Sequence, residues 1–385
     1  MKYSAYAGAI AFAIVVVTSH LRSSPYNNYV LLADALLHGH VWIDWPGQYM
    51  DALAYHGRHY VIEAPLPALL LLPLAALFGT HANQTLVAAG LGGLAIGAAW
   101  EVCERLGVTR RATIWLCGFL LAGTDLLWCA MLGDVWFIAH ISAVAFTMLA
   151  LAELLGHKRG WLVALWAACA FESRLTMILA VPVYAWMLYG SDVGAALHAR
   201  RAKLLSFGAV LAGVGLLWIG YNEARWGTLT DIGYTLWYHQ DAAGSATGSP
   251  FRLSYLANQL QSFFVAYPHF QPTPPFVVPD FGGIALTWTS PALALAFFAR
   301  RPRTLVIAMW CAAALTAIPN FLYYVNGYAQ FGMRHALDFE PFLFVLMALA
   351  ARGGMPAWGS VLSAYSIAVG VWGCVYWNAF IRSQY

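Results

Sequence analysis

Apolar runs long enough to cross a lipid bilayer recur along the whole of this 385-residue chain. A hydrocarbon layer about 30 Å thick needs about 20 apolar residues of α-helix. Backbone polar groups inside it must be paired within the protein, which makes helices the expected structure. The candidate spans are 4–20, 84–102, 112–130, 137–155, 160–171, 175–190, 204–220, 283–299, 304–322, 339–352 and 357–378, about eleven crossings. Charged residues make up 10% of the chain and hydrophobic residues 61%, whereas about a quarter of a soluble domain is charged. The chain therefore reads as an all-α polytopic membrane protein. With no internal repeat and no long linker, 1–385 is a single membrane domain. The net charge of +3 argues against a nucleic-acid partner. The cysteines form no CxxC pair and no His/Cys cluster, so neither a zinc site nor a disulfide framework is expected. The first run, Tyr6 to Thr18, has no small-residue cleavage site and reads as a retained span.

Basic clusters set the threading, because Lys and Arg mark cytoplasmic loops. They are Arg105/Arg110/Arg111, Lys158/Arg159, Arg200/Arg201/Lys203 and Arg300/Arg301/Arg303. Placing them inside with the N-terminus requires an odd number of crossings between residues 20 and 105. The apolar stretch Leu66–Phe78 is too short for the roughly 20 residues a crossing needs. It is expected to be a partly embedded helix closed by Gly79; the alternative is a short true span. The C-terminus then lies outside. Two long loops, 21–83 and 221–282, share the outer side with the turns near Asp134 and Glu172–Arg174 and with the segment Asn320–Asp338. The basic residues of that side are arginines, the better bidentate partners for phosphate.

In the first outer loop Tyr29, Leu32, Ala33, Leu36 and Leu37 repeat at helical spacing up to Gly39, which suits an interfacial helix. The aromatic stretch Trp42–Asp51 follows, with two carboxylates. Polar residues in this setting have competing readings. Asp51 sits just before the re-entry but also suits a helix cap. Arg174 interrupts two apolar runs, a costly position unless it is paired or lines a polar cavity. Its nearest carboxylate in sequence is Glu172. Arg334 stands four residues before Asp338, the spacing of a helical salt bridge. Arg225 at the mouth of a span suits interfacial snorkelling. Asp134 precedes a span that it could cap, and His140 within that span reads first as a buried, hydrogen-bonded histidine.

The order of several motifs resembles the GT-C superfamily of membrane glycosyltransferases. A first span is followed by Tyr29, Ala33, Leu36 and Gly39 in an amphipathic helix. Then come Asp51, Tyr55, Gly57 and Tyr60, and the Pro65-x-Pro67 entry to an apolar helix. Gly133-Asp134, Glu172-Ser173-Arg174 and the late Gly332-x-Arg334-x3-Asp338-x2-Pro341 segment complete the layout. Within the superfamily the chain is similar to bacterial members related to protein O-mannosyltransferases and to the lipid A aminoarabinose transferase. The resemblance implies a polyprenyl-phosphate-linked sugar as donor and a glycan, lipid or protein hydroxyl as acceptor. It implies direct displacement with a carboxylate base on the outer, periplasmic face of a bacterial inner membrane, by an enzyme needing no cofactor. A divalent metal is not favoured.

In that frame Asp51, Asp44 and Asp134 are the candidate catalytic carboxylates, with Asp34 a further acidic contact for substrate. Arg174, Arg334 and Arg225 are the candidate phosphate ligands. Tyr60, Tyr234, His239 and His269 are candidate contacts for sugar or phosphate. One departure stands out: where relatives carry an Asp-Glu pair before the interfacial helix, this chain has Pro25 and Tyr26. A lipid-phosphate or sugar transporter, or a non-catalytic relative, is the alternative reading.

Overall fold

The computed structural model describes residues 2–44, 52–190, 197–327 and 329–381, without the side chains of 197–199. Six of its helices are long and apolar enough to cross a bilayer. They are α1 (Lys2–Ser19), α4 (Gln84–Leu106), α7 (Val135–Leu155), α10 (Leu197–Trp226), α14 (Arg303–Leu322) and α16 (Ala357–Tyr376). Between α1 and α4 lie α2 (Asn28–Leu37), the hairpin β1 (Leu53–Tyr55) and β2 (Arg58–Tyr60), and α3 (Leu66–Phe78). The pair α5 (Arg110–Ala122) and α6 (Leu126–Leu132), bent by 47°, is together as long and apolar as these six. Shorter apolar helices complete the bundle: α8 (Gly160–Phe171), a 3-10 turn at Leu175–Ala180 leading into α9 (Val181–Gly190), and α15 (Glu340–Ala350).

The bend between α5 and α6 leaves backbone groups that the bilayer cannot hydrate. Side chains take them up. Thr124 Oγ1 accepts from the Leu126 N–H at 3.2 Å, and the Ser290 hydroxyl donates to the Gly123 carbonyl at 2.8 Å. Stretch 283–299, expected as a plain helical span, is different. It is the short helix α13 (Leu286–Thr289) followed by a 3-10 helix at Pro291–Phe298. Pro291 bars Ser290 from helical backbone. A 3-10 helix rises about 2.0 Å per residue against 1.5 Å in an α-helix, so fewer residues cover the same depth.

Contacts sort the helix ends into two groups. At one end the Arg110 guanidinium lies 4.1 Å over the Tyr3 ring, Arg105 donates to the Ala152 carbonyl and Arg352 to the Leu106 carbonyl. This is the basic end. At the other, Asn83 Nδ2 donates to Leu21 O at 2.7 Å, Val135 N to Tyr26 O at 3.0 Å and Arg225 Nη1 to Val61 O at 3.2 Å. Helix α3 has both ends in this second group. Leu66 N donates to Glu172 O at 2.9 Å, and the chain beyond Gly79 returns to the Asn83–Leu21 contact. Both its ends thus lie at this end of the bundle, and it packs against α2. Between α10 and α14 the chain carries α11 (Gly233–Gln240) and α12 (Leu256–Phe264).

Helices α1 and α4 approach closely through glycine, the usual route to tight packing in lipid. A Cβ added at Gly93 would sit 2.8 Å from the Gly8 carbonyl oxygen, and one at Gly97 would sit 3.1 Å from that of Ser4. Gly90 on the same helix faces open space. Gly93→Val should cost about 1–3 kcal/mol by overpacking, while Gly90→Val should change stability by less than about 0.5 kcal/mol. Thermal unfolding of both variants in detergent checks this; equal loss in the two would contradict the close α1–α4 crossing.

Candidate active site

A cavity of about 1470 Å³ opens among the polar-end segments. Its walls come from residues 22–26, the start of α7, the turn after α8, α11, the end of α14 and the segment 323–335. Beneath it lies Asp338, fully buried at 0% exposure. Arg174 donates to it through Nε at 3.1 Å and Nη2 at 2.8 Å, Thr176 Oγ1 at 2.8 Å and Asn320 Nδ2 at 3.0 Å. His140 Nδ1 faces its other oxygen at 3.1 Å. Burial alone would raise the Asp338 pKa, but Arg174 and His140 hold the carboxyl well below the usual carboxylate range. Arg174 reaches it because α8 stops at Phe171 and the backbone at Arg174 is extended, at φ −144°.

This pairing corrects two sequence expectations. Arg174 pairs with Asp338, not with its neighbour Glu172. Arg334 does not pair with Asp338; its Nη1 donates to Gln330 Oε1 at 2.8 Å. Residues 334–338 form a 3-10 helix. At about three residues per turn, positions i and i+4 no longer share a face. Among the described residues Arg334 makes no ion pair within 4.0 Å, and its Nε has no hydrogen-bond partner. Burial pushes the Arg334 pKa down to about 10, with Arg174 adding to the effect and Cys129 and Asp125 opposing it. It is a buried cation short of counter-charge, charged at neutral pH, in the wall of the cavity.

The cavity brings together Asp134, Arg174, Tyr234 and Arg334 from the sequence candidates. Asp134 accepts from the Ser24 hydroxyl at 2.5 Å, and Ser24, Pro25 and Tyr26 line the wall beside it. The other described candidates are not among the lining residues. Arg225 is buried, bonded to Asn222 Oδ1 at 3.0 Å and to Val61 O, and lies 3.7 Å from Asp231, so it ties the segment before α3 to the one after α10. Tyr60 packs 5.0 Å from the Trp226 ring. His239 is exposed and meets the Gly248 carbonyl at 3.1 Å. His269, also exposed, sits 3.3 Å from Asp280. Asp34 lies 3.7 Å from His38 on α2, and Asp44 is exposed. Asp51 lies outside the described residues.

Several lining groups were not singled out from the sequence as site residues: Glu63, Asn320, His335 and His140. The available signal was a polar side chain within or at the border of an apolar run, as at His140 and Asn320. Among the described residues no group of three or more His, Cys, Asp or Glu has metal-binding geometry.

No family model and no curated protein sequence matches the chain. Among solved structures the fold is similar to that of a GT-C glycosyltransferase, ArnT from Cupriavidus metallidurans, the lipid A aminoarabinose transferase. ArnT bound to undecaprenyl phosphate superposes with a TM-score of 0.53 at 16% identity over 89% of this chain. The apo state gives 0.51 at 16% identity over 89%. The chain spans 59% and 58% of the lengths of those two structures. The chain thus shares the fold of those structures over 89% of its length, in line with the resemblance that the order of its motifs suggested.

Glu172, at the turn beside the cavity, gives a pH signature. Burial, opposed by Arg225 and reinforced by Asp231, pushes its carboxyl up to about 7. Below the ordinary carboxylate range both folded and unfolded states hold the proton. Between there and about 7 only the unfolded state ionises, so this group lowers stability as pH rises. Glu172→Gln should raise the thermal midpoint over the parent at pH 8 and have little effect near pH 4. A shift that is the same at both pH values would contradict the assignment.

Proposed function

We propose that this protein is a membrane glycosyltransferase that moves a sugar from a polyprenyl-phosphate donor to an acceptor hydroxyl on the outer face of the membrane. The observation that carries the reading is Arg334, a buried guanidinium without an ion-pair partner among the described residues, set in the wall of a large cavity that Asp134 also lines. That arrangement suits a phosphorylated lipid: apolar walls for the chain, a fixed cation for the phosphate and an acid for the proton. The GT-C fold supports it, as does the undecaprenyl phosphate found on ArnT.

In this reading the acceptor oxygen attacks the anomeric carbon and the bond from that carbon to the phosphate oxygen breaks. The acceptor proton passes to Asp134, and the second negative charge that develops on the leaving phosphate is met by Arg334. One displacement inverts the anomeric centre. Asp134 suits the role because it stands against Ser24-Pro25-Tyr26, where relatives keep their acidic pair. Arg174 is held by Asp338 and contributes donors at the cavity edge. Asp51 is the competing base. The reaction so written needs no metal. A bacterial inner membrane with the site facing the periplasm is the location that goes with this chemistry. A transporter would need polar groups along both halves of its path, whereas the described cavity lies among the polar-end segments.

The test is transfer of radiolabelled sugar from undecaprenyl-phosphate donors by the purified protein in nanodiscs. Asp134→Asn should abolish turnover while undecaprenyl phosphate still binds. Arg334→Ala should weaken that binding by about 10- to 100-fold, the loss of a charged hydrogen bond. Full turnover in Asp134→Asn with none in Asp51→Asn would move the base to Asp51. Unchanged lipid binding in Arg334→Ala would remove the phosphate site.

A further inference from the structure

Two histidines in the cavity wall have ring nitrogens that no described residue satisfies. His140 is 1% exposed and His335 is 5% exposed, and both line the cavity. Their ring centroids stand 5.4 Å apart at a 33° tilt. Among the described residues His140 Nε2 and His335 Nδ1 are buried with no hydrogen-bond partner. Buried polar atoms are nearly always paired, so two orphans side by side in a cavity wall point to a missing partner.

Asp338 fixes what that partner must be. Its carboxylate can only accept, so His140 Nδ1 carries the hydrogen and Nε2 presents a lone pair. The single charge of Asp338 is already matched by Arg174, and a cationic His140 would add an uncompensated charge beside buried Arg334. His335 is neutral for the same reasons: burial, then Arg334 and Arg174, push its pKa well below the ordinary range. Two neutral imidazoles offer one certain acceptor and a second group that accepts or donates by tautomer. A phosphate oxygen gains nothing from a lone pair. A hydroxyl suits both, donating to one ring and accepting from the other.

We infer that His140 and His335 form a sugar-hydroxyl subsite at the cavity wall, beside the arginine that holds the phosphate. It recognises the donor by the polyol it carries. The inference rests on the proposed glycosyltransferase reading and adds to it residues that select the sugar. Neither histidine has to change charge, so neither serves as the base. Their role is binding, with Asp338 orienting His140 and Arg174 orienting Asp338.

His335→Leu is the discriminating variant. The His335 side chain leaves Nδ1 unpartnered among the described residues, and an apolar side chain there relieves that buried unsatisfied group. His335→Leu should therefore unfold at the same temperature as the parent or higher. Binding is measured for undecaprenyl methyl phosphate, which has the charge of the donor and no sugar, and for the glucosyl, mannosyl, galactosyl and arabinosyl esters. The parent should bind at least one sugar ester about tenfold more tightly than the methyl ester, and His335→Leu should bind the two alike. His140→Leu should lose the same preference. A parent that does not discriminate, or a His335→Leu protein that keeps the parent's ratio, overturns the subsite. A parent that binds neither ester overturns the phosphate reading itself, and the subsite with it.

Discussion

A fully buried carboxylate organises the polar end of this bundle. Taking Asp338 out of water costs several kcal/mol even after relaxation, and it is tolerated because the surrounding segments supply partners. Arg174 comes from the turn after α8, Thr176 from the 3-10 turn, Asn320 from the end of α14 and His140 from α7. Each of these segments is thereby pinned to the same point. Asp338 pairs with Arg174, and Arg334 in the cavity wall has no carboxylate partner within ion-pair distance among the described residues.

The cavity follows from how the shorter helices end. Helices α8 and α15 are too short to span a bilayer by themselves, and α9 is reached through a 3-10 turn. Their irregular ends carry the polar backbone and side chains that lipid would reject. Helices α2 and α3 pack against each other between α1 and α4, and Arg225 ties Val61 to the segment after α10 through Asp231. The resulting space has apolar walls from the helices and ionisable groups from the breaks between them. A lipid-linked anion needs both at once.

Much of this was legible in the sequence because lipid imposes simple rules. Run length located the six helices long enough to cross and the bent α5–α6 pair, whereas the expected spans at 160–171, 175–190, 283–299 and 339–352 are shorter or broken helices. The basic clusters sorted the ends. The helix Leu66–Phe78 was readable in its bounds, from Pro65 before it and Gly79 after it. Asp134, Arg174 and Arg334 stood out as charges bordering apolar runs. What could not be read was which charge meets which. The α-helical spacing rule gave Asp338 to Arg334, but the segment winds as a 3-10 helix and the carboxylate turns to Arg174, 164 residues away. Ser24 and Asp134 are likewise neighbours only in space. His140 was read as a hydrogen-bonded buried histidine, and one of its nitrogens is bonded; the other has no partner among the described residues.

The central claim is that a phosphorylated polyprenyl lipid binds in this cavity with its phosphate on Arg334. A structure determined in nanodiscs with undecaprenyl phosphate tests it directly. The account predicts phosphate oxygens within hydrogen-bonding distance of the Arg334 guanidinium, with the Arg174–Asp338 pair intact. Lipid bound elsewhere while the cavity stays open and empty, or a phosphate held at the basic end, would contradict it.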